Sequence, residues 1–350
     1  MAAFTTIDDP EAHYQTVGYT GNGTADKAIT LPGTTAMAPD FVWIKNREQT
    51  DSYCMFDVIR GVTKVLHSDT NAAEATDADT LDAFQSDGFR VDGDDKVNSS
   101  SEKFVAWCWK AGGSASANTD GGEDTSVSAN TAAGFSIVKY TQEVAQGSVF
   151  TAGHGLGVAP EFIIIKGYEV TDQWIAGHKS IGFDKGFYLD LNNAASDSTA
   201  HFNDTAPTST VFTIGTNSAI NEDNTDGICY CWASIQGFSK FGKYVGNGSA
   251  DGTFVFTGFR PAVVLLKVTD ATGNWYIFDN ARDGYNGDNW ELYLDINNEE
   301  GANYRLDFLA NGFKWRNASN PVNGTGETMF YGAWAEAPFV NSNGVPSTAR

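Results

Sequence analysis

One short phrase occurs three times along the chain and constrains its fold more than any other feature. Each copy consists of a proline, one variable residue, four large apolar residues and a lysine, at residues 39–45, 160–166 and 261–267. A short apolar run rich in β-branched and aromatic residues predicts a strand buried on both faces. Proline fits the first position of such a strand, where its missing N–H is not yet needed. We expect the closing lysine to be a solvated charge at the strand end.

Other residues recur in register with this phrase. An aromatic residue follows each lysine by eight positions, and Asp57, His178 or Asp279 follows it by twelve. Each copy then closes on a tryptophan, 62, 66 or 67 residues after the lysine. The shared spacing predicts a tandem triplication of a unit of about 95 to 105 residues. The residues that define the repeat are Pro39, Lys45, Asp57, Trp107, Pro160, Lys166, His178, Trp232, Pro261, Lys267, Asp279 and Trp334.

The repeat divides the chain into six segments. Residues 1–12 are polar and predict an extended N-terminal arm, and residues 339–350 predict a C-terminal tail. Residues 111–133 are mainly Gly, Ser, Ala, Thr, Asn and Asp, which is typical of a flexible linker. We expect this linker either to leave the first unit less tightly held than the others or to span a greater distance. The three units themselves span residues 13–110, 134–237 and 238–338.

Each unit contains about seven or eight short apolar runs separated by Gly, Asn and Asp turns, which is typical of an antiparallel sandwich. Aromatic residues make up 13% of the chain and there are 37 glycines, which also favours β structure. We therefore predict an all-β protein of three tandem antiparallel β-sandwich repeats, jelly-roll-like in character.

The formal net charge of −22 argues against two classes of partner. Nucleic acids require basic surfaces, and anionic membrane surfaces repel an acidic protein. No run of about 18 apolar residues is present, so we expect no membrane insertion. The N-terminus also lacks the basic and apolar regions of a secretory signal.

The sequence offers no recognisable catalytic or cofactor motif, so we predict a protein that is not an enzyme and binds no cofactor. The five histidines lack metal-ligand spacing, and His154 is interpreted as part of a surface loop. The four cysteines, Cys54, Cys108, Cys229 and Cys231, are predicted to be buried free thiols. Acidic loops such as 92–95 and 283–288 are interpreted as solvated turns, with a structural calcium ion as the alternative.

The tryptophans have two interpretations. Most simply they belong to the core, but Trp109, Trp275, Trp290 and Trp315 would stack on sugars if they were exposed. Because a feature kept in every copy is best explained by the fold, we expect function to depend on what differs between copies. The parts that differ are the loops at residues 69–80, 194–209 and 283–290, the linker and the two ends of the chain.

Several stretches resemble structural proteins of tailed bacteriophages, especially marine ones, that are described as tail-fibre-like or as uncharacterised virion proteins. The resemblance covers nearly the whole chain. It is carried by residues 4–10, the turn Tyr19-Thr20-Gly21-Asn22-Gly23, and residues 41–47, 89–91, 104–110, 154–166 and 336–342. Unlike a typical fibre, the chain lacks heptads, collagen-like glycine repeats and a long β-helical shaft.

The resemblance implies a virion structural protein on the particle exterior, made in the host cytoplasm. We expect a tail fibre or tail-associated adhesin that contacts the host surface, with other virion proteins and host surface glycans as partners. A homo-oligomer, most simply a trimer, is expected. The alternatives are a capsid head decoration protein, a baseplate or collar component, a free carbohydrate-binding module and a glycan-cleaving depolymerase with paired carboxylates.

Overall fold

The computed structural model describes residues 5–143, 145–282, 286 and 290–337, together with the backbone of 339–340 and 346–347. Nearly all regular structure is antiparallel β, which confirms the predicted all-β class. The helices among the described residues are single short turns at Pro10–Ala12, Asp95–Asn98, Lys179–Ile181 and Thr199–Phe202.

Each predicted unit contains one large sheet with the same four-strand order. We call these strands opening, closing, core and flanking, in their order across the sheet. In unit 1 they are Tyr14–Thr20, Lys103–Trp109, Phe41–Asn46 and Cys54–Asp57. In unit 2 they are Phe135–Thr141, Asp226–Trp232, Phe162–Gly167 and Ile175–His178. In unit 3 they are Ser239–Val245, Thr328–Ala335, Pro261–Val268 and Trp275–Asp279.

A smaller sheet packs on one face of each large sheet, which gives every unit a sandwich-like form. Its strands are Lys27–Thr30, Gly88–Val91 and Leu81–Gln85 in unit 1, Phe150–Gly153 and Val211–Ile214 in unit 2, and Phe254–Phe256, Gly312–Trp315 and Leu306–Leu309 in unit 3. Short strands at Lys64–Val65, Ala75–Thr76, Gly182–Tyr188, Ser196–Asp197 and Leu292–Tyr293 follow the flanking strands. A further pair joins Phe339–Val340 to Pro346–Ser347.

The core strands are the repeated phrase, and every residue in them is buried. This confirms the prediction of strands covered on both faces. One face of the large sheet packs against the small sheet of the same unit, and the other packs against the neighbouring units. A fully apolar strand is stable in this position because neither of its faces meets water.

The register corrects one predicted correspondence. Trp109 lies opposite Phe41, as Trp232 lies opposite Phe162 and Trp334 lies opposite Val263. The prediction that Trp107 is the counterpart of Trp232 and Trp334 is therefore wrong by two residues. Both Trp107 and Trp109 face the same side of their strand, so the sequence spacing alone did not distinguish them.

The predicted linker is also wrong. Within residues 111–133, Ser116–Asn118 pairs with Thr125–Asn130, which in turn pairs with the opening strand of unit 2. Val127 is buried in the core of that unit. Small polar residues form an edge hairpin here because the sheet of unit 2 supplies the hydrogen-bonding partner. From here on, unit 2 denotes residues 111–237.

The three units close into a ring around one aromatic core. Trp109, Trp232 and Trp334 contact one another edge-on, with centroid separations of 6.1 Å, 5.4 Å and 6.1 Å for the three pairs 109–232, 109–334 and 232–334. Unit 1 contacts both other units, so the expectation that it is less tightly held is wrong. Such edge-to-face packing is the favourable geometry for aromatic rings.

The described part of the predicted arm is not extended. Ile7 is buried in the central core, and the Asp9 carboxylate accepts a hydrogen bond from the Glu11 N–H at the start of the Pro10–Ala12 turn. Residues 5–12 are therefore part of the folded body. Residues 1–4 lie outside the described residues, as does most of the predicted tail at 339–350.

Candidate functional site at the contacts between units

The lysine that ends each core phrase is buried rather than solvated. Lys45, Lys166 and Lys267 have no exposed surface, so the prediction of a solvated strand-end charge is wrong for all three. Burial lowers the pKa of each ammonium group to about 8. Because removing a charge from water costs free energy, a buried ammonium group is stable only if hydrogen-bonding partners replace the lost water.

Backbone carbonyls are the hydrogen-bonding partners of all three lysines. For Lys166 and Lys267, one of these carbonyls belongs to a neighbouring unit. Lys166 Nζ donates to Val170 and Asp172 at 2.8 Å and 2.6 Å, and to Asn71 of unit 1 at 3.3 Å. Lys267 Nζ donates to Gly273 and to Asn192 of unit 2, the latter at 3.0 Å. Lys45 Nζ donates to Asn46 and Gln49 within its own unit. Lys166 and Lys267 therefore tie a loop of one unit to the sheet of the next.

An aspartate has the same role in every unit. The carboxylates of Asp69, Asp190 and Asp295 accept the N–H of Tyr53, Trp174 and Trp275, at 3.0 to 3.1 Å. Burial raises the pKa of all three, to about 6 for Asp190 and about 7 for Asp295. These aspartates hold the aromatic residue that follows each lysine by eight positions.

A cyclic set of backbone hydrogen bonds joins the units. The N–H of Glu74 donates to the carbonyl of Tyr168, that of Ala195 to Thr269, and that of Glu300 to Arg47, at 2.7 to 2.9 Å. Each donor stands five residues after the buried aspartate of one unit. Each acceptor stands two residues after the lysine of the next unit. Unit 1 thus binds unit 2, unit 2 binds unit 3, and unit 3 binds unit 1.

The buried aspartates predict an unusual pH dependence. Since an unfolded aspartate has a pKa of about 3.9, the folded chain holds more protons between about pH 4 and pH 7. The free energy of unfolding should therefore fall as the pH rises through this window. For the lysines, the folded chain holds fewer protons between about pH 8 and pH 10.4, so this contribution rises there.

The Asp295→Asn variant isolates this effect in denaturant unfolding. At pH 4 it should match the parent chain, and at pH 7.5 it should be more stable by about 1–3 kcal/mol, because it buries no charge. Asp197→Asn, whose side chain is 84% exposed, serves as the control for the change in net charge. A difference between Asp295→Asn and the parent that is the same at both pH values contradicts the assignment.

The position twelve residues after each lysine carries a buried ion-pair network in two units. Arg60 Nε contacts the Asp57 carboxylate at 2.6 Å, and its Nη1 contacts Glu74 at 3.1 Å. In unit 3 the corresponding contacts of Arg282, with Asp279 and Glu300, are 2.8 Å and 2.7 Å. A second unit contributes to each network: Tyr230 Oη donates to Asp57, and Trp107 Nε1 donates to Asp279.

Unit 2 replaces this network with apolar packing. His178 occupies the aspartate position, and Ile181 and Ala195 stand where the other units have arginine and glutamate. The ring of His178 stacks on Phe330 of unit 3 at a centroid distance of 4.4 Å. Burial lowers its pKa to about 3, so it is neutral at ordinary pH. Asp57, His178 and Asp279 therefore all stabilise interfaces between units.

The remaining members of the network were missed by the sequence reasoning. Arg60 and Arg282 each stand three residues after a repeat-defining aspartate, and this shared spacing was a usable signal. Glu74 and Glu300 each stand five residues after a buried aspartate, Asp69 or Asp295, but the loops before those aspartates differ in length, so their offsets from the repeated lysine differ. The prolines Pro39, Pro160 and Pro261 are all buried at the base of their core strands.

Eight of the nine tryptophans are buried, with at most 3% of their surface exposed. Trp109, Trp275 and Trp315 are among them, which confirms the simpler interpretation that they belong to the core. Trp290 alone is half-exposed. It lines a groove of about 290 Å³ between units 3 and 1, together with Arg47, Glu48, Lys103, Glu299 and Glu300. We call this the 3–1 groove.

The other sequence predictions about polar side chains have mixed outcomes. The four cysteines are buried free thiols, as predicted, with Cys229 and Cys231 Sγ atoms 3.5 Å apart. His154 is fully buried and contacts the Thr208 carbonyl, so its interpretation as a surface residue is wrong. In the described part of the chain, no three His, Cys, Asp or Glu side chains are grouped as metal ligands. Most of the acidic loop at 283–288 lies outside the described residues.

A family model described as a domain of unknown function, DUF7483, matches residues 9–338. The chain belongs to the DUF7483 family. No curated protein and no solved structure matches it. The matched segment of this DUF7483 protein runs through all three units, from the packed N-terminal residues to the end of unit 3.

The site of this DUF7483 protein thus has two parts. The interior part, made of lysines, aspartates and ion-pair networks, joins units and is largely buried. The outer part consists of grooves where the units meet. No helix among the described residues is long and apolar enough to cross a membrane.

Proposed function

We propose that this protein is a virion structural protein on the outer surface of a phage particle, acting as a tail-associated adhesin that contacts the host surface. One observation carries the proposal beyond the sequence resemblance. The three units share an aromatic core and buried cross-unit bonds, so the loops and grooves at their junctions are held on a rigid scaffold. Binding proteins commonly present variable loops on such a scaffold.

The cyclic arrangement favours a second candidate, a capsid head decoration protein. A molecule with three similar units around one centre presents three similar faces, and these match a threefold position of a symmetric shell. Under this proposal the chain supplies within itself the symmetry that a homotrimer supplies between chains.

Electron microscopy of particles with an antibody against the purified protein distinguishes the two candidates. We expect label on the tail, at or near the tip. Label distributed over the capsid shell would favour the decoration protein and contradict the adhesin. An intact particle without label, and without this chain by mass spectrometry, would contradict both.

The predicted homotrimer stays a prediction and has a direct test. Light scattering on the purified chain should give a mass three times the 37.6 kDa of one chain if a trimer forms. A mass of 37.6 kDa at micromolar concentration would contradict the trimer. It would leave the ring of three units as the whole assembly.

A further inference from the structure

The 3–1 groove differs from the groove between units 2 and 3 at one equivalent position of the repeat. Lys64, Lys185 and Trp290 each stand five residues before the buried aspartate of their unit. Lys185 lines a groove of about 330 Å³ between units 2 and 3, as Trp290 lines the 3–1 groove. Two units therefore place a lysine at this position, and only unit 3 places a large aromatic ring there.

Neighbouring residues fix the backbone that carries Trp290. The next residue, Glu291, is fully buried, and its N–H donates to the Gly301 carbonyl at 3.0 Å. The Glu291 carboxylate accepts hydrogen bonds from the N–H and side-chain amide of Asn303. The backbone that follows Trp290 is thus held to the core by buried hydrogen bonds of Glu291.

The floor of the 3–1 groove is a rigid set of paired charges. Arg47 of unit 1 donates to the Glu300 carboxylate through Nε and Nη2, at 3.0 Å and 2.8 Å to the same oxygen. Arg282 holds the other carboxylate oxygen at 2.7 Å. Arg47 and Glu300 are each only 9% exposed, so they are fixed before any ligand arrives. Glu48, Lys103 and Glu299 complete the wall.

We propose that the 3–1 groove binds a neutral oligosaccharide, with Trp290 stacked on a sugar ring. A half-exposed indole offers a flat apolar surface for the C–H face of a pyranose, and fixed carboxylate and guanidinium groups suit its hydroxyls. The groove contains three acidic and two basic side chains, and the chain has a net charge of −22. A polyanionic glycan would be repelled. This inference rests on the proposed adhesin function and names its ligand class.

The test uses the full-length protein on an array of neutral and acidic oligosaccharides, followed by calorimetry with the best binder. The Trp290→Lys variant restores the residue that units 1 and 2 carry at this position. We expect the parent chain to bind neutral members of the array, and Trp290→Lys to bind them at least about five-fold more weakly. Lys185→Ala alters the equivalent position of the other groove and should leave affinity within about two-fold.

Three outcomes overturn the site: no binding to any neutral glycan at millimolar concentration, equal binding by Trp290→Lys, or a preference for acidic glycans. An unchanged melting temperature of Trp290→Lys shows that a loss of binding is not a loss of fold. Binding to intact host cells separates this inference from the adhesin proposal. If the parent chain and Trp290→Lys bind cells equally, the adhesin proposal is supported and the proposed sugar site in the groove is contradicted. If neither the parent chain nor Trp290→Lys binds cells, the adhesin proposal itself is contradicted.

Discussion

An Arg60→Ile variant is expected to lose about 3–5 kcal/mol of unfolding free energy, because it leaves charge buried without a partner. The Asp57 carboxylate has no exposed surface and would keep only the Tyr230 hydroxyl and two backbone N–H donors. Glu74 would also lose its contact with the guanidinium. Denaturant unfolding followed by fluorescence measures the loss.

Unit 2 supplies the matched control for this prediction. It carries His178, Ile181 and Ala195 at the three positions of the network. The triple variant Asp57→His, Arg60→Ile, Glu74→Ala removes every charge at once and should recover much of the lost stability, since replacing a whole buried network is often nearly neutral. A triple variant less stable than Arg60→Ile alone, or an Arg60→Ile variant as stable as the parent, would show that charge burial is not the controlling term.

Replacing Trp109 with alanine is expected to cost about 3–5 kcal/mol, the range for removing a large aromatic side chain from a core. The ring contacts Trp232 of unit 2 and Trp334 of unit 3. Its removal therefore opens a cavity where all three units meet. Denaturant unfolding should show the loss, with a lower midpoint for the whole molecule.

Trp290→Ala provides the comparison, since the same chemical change at a half-exposed position should alter stability by less than about 0.5 kcal/mol. Similar losses for Trp109→Ala and Trp290→Ala would contradict the central position of Trp109. A Trp109→Ala variant in which only unit 1 unfolds earlier would contradict the shared core.

Several features of the site followed from spacing. The equivalence of Asp57, His178 and Asp279 was predicted from their offset to the lysine, and all three lie opposite the same position of the core strand. In unit 1 the spacing predicts Trp107 as the closing tryptophan, whereas the structure has Trp109 at that position. Both residues point to the same side of their strand. Spacing fixes the face of a strand more firmly than it fixes which of two like residues corresponds.

The burial of Lys166 and Lys267 was not predictable from a single unit. In an isolated sandwich, a lysine after an apolar strand would reach water. Here the loop of the preceding unit covers Lys166 and Lys267 and offers the carbonyls of Asn71 and Asn192. The hairpin at 116–130 was missed for a related reason, since its small polar residues pair only because a sheet edge lies beside them.

The sequence by itself determined the apolar strands, their repetition in register and the all-β class, because these depend on local apolar pattern and turn residues. Only the tertiary structure decided that the units close into a ring, that the repeated lysines and aspartates are interior, and that Trp290 alone among nine tryptophans reaches a groove. The physical reason is that burial and pairing between units depend on contacts made far apart along the chain, such as Arg47 with Glu300. No local pattern records them.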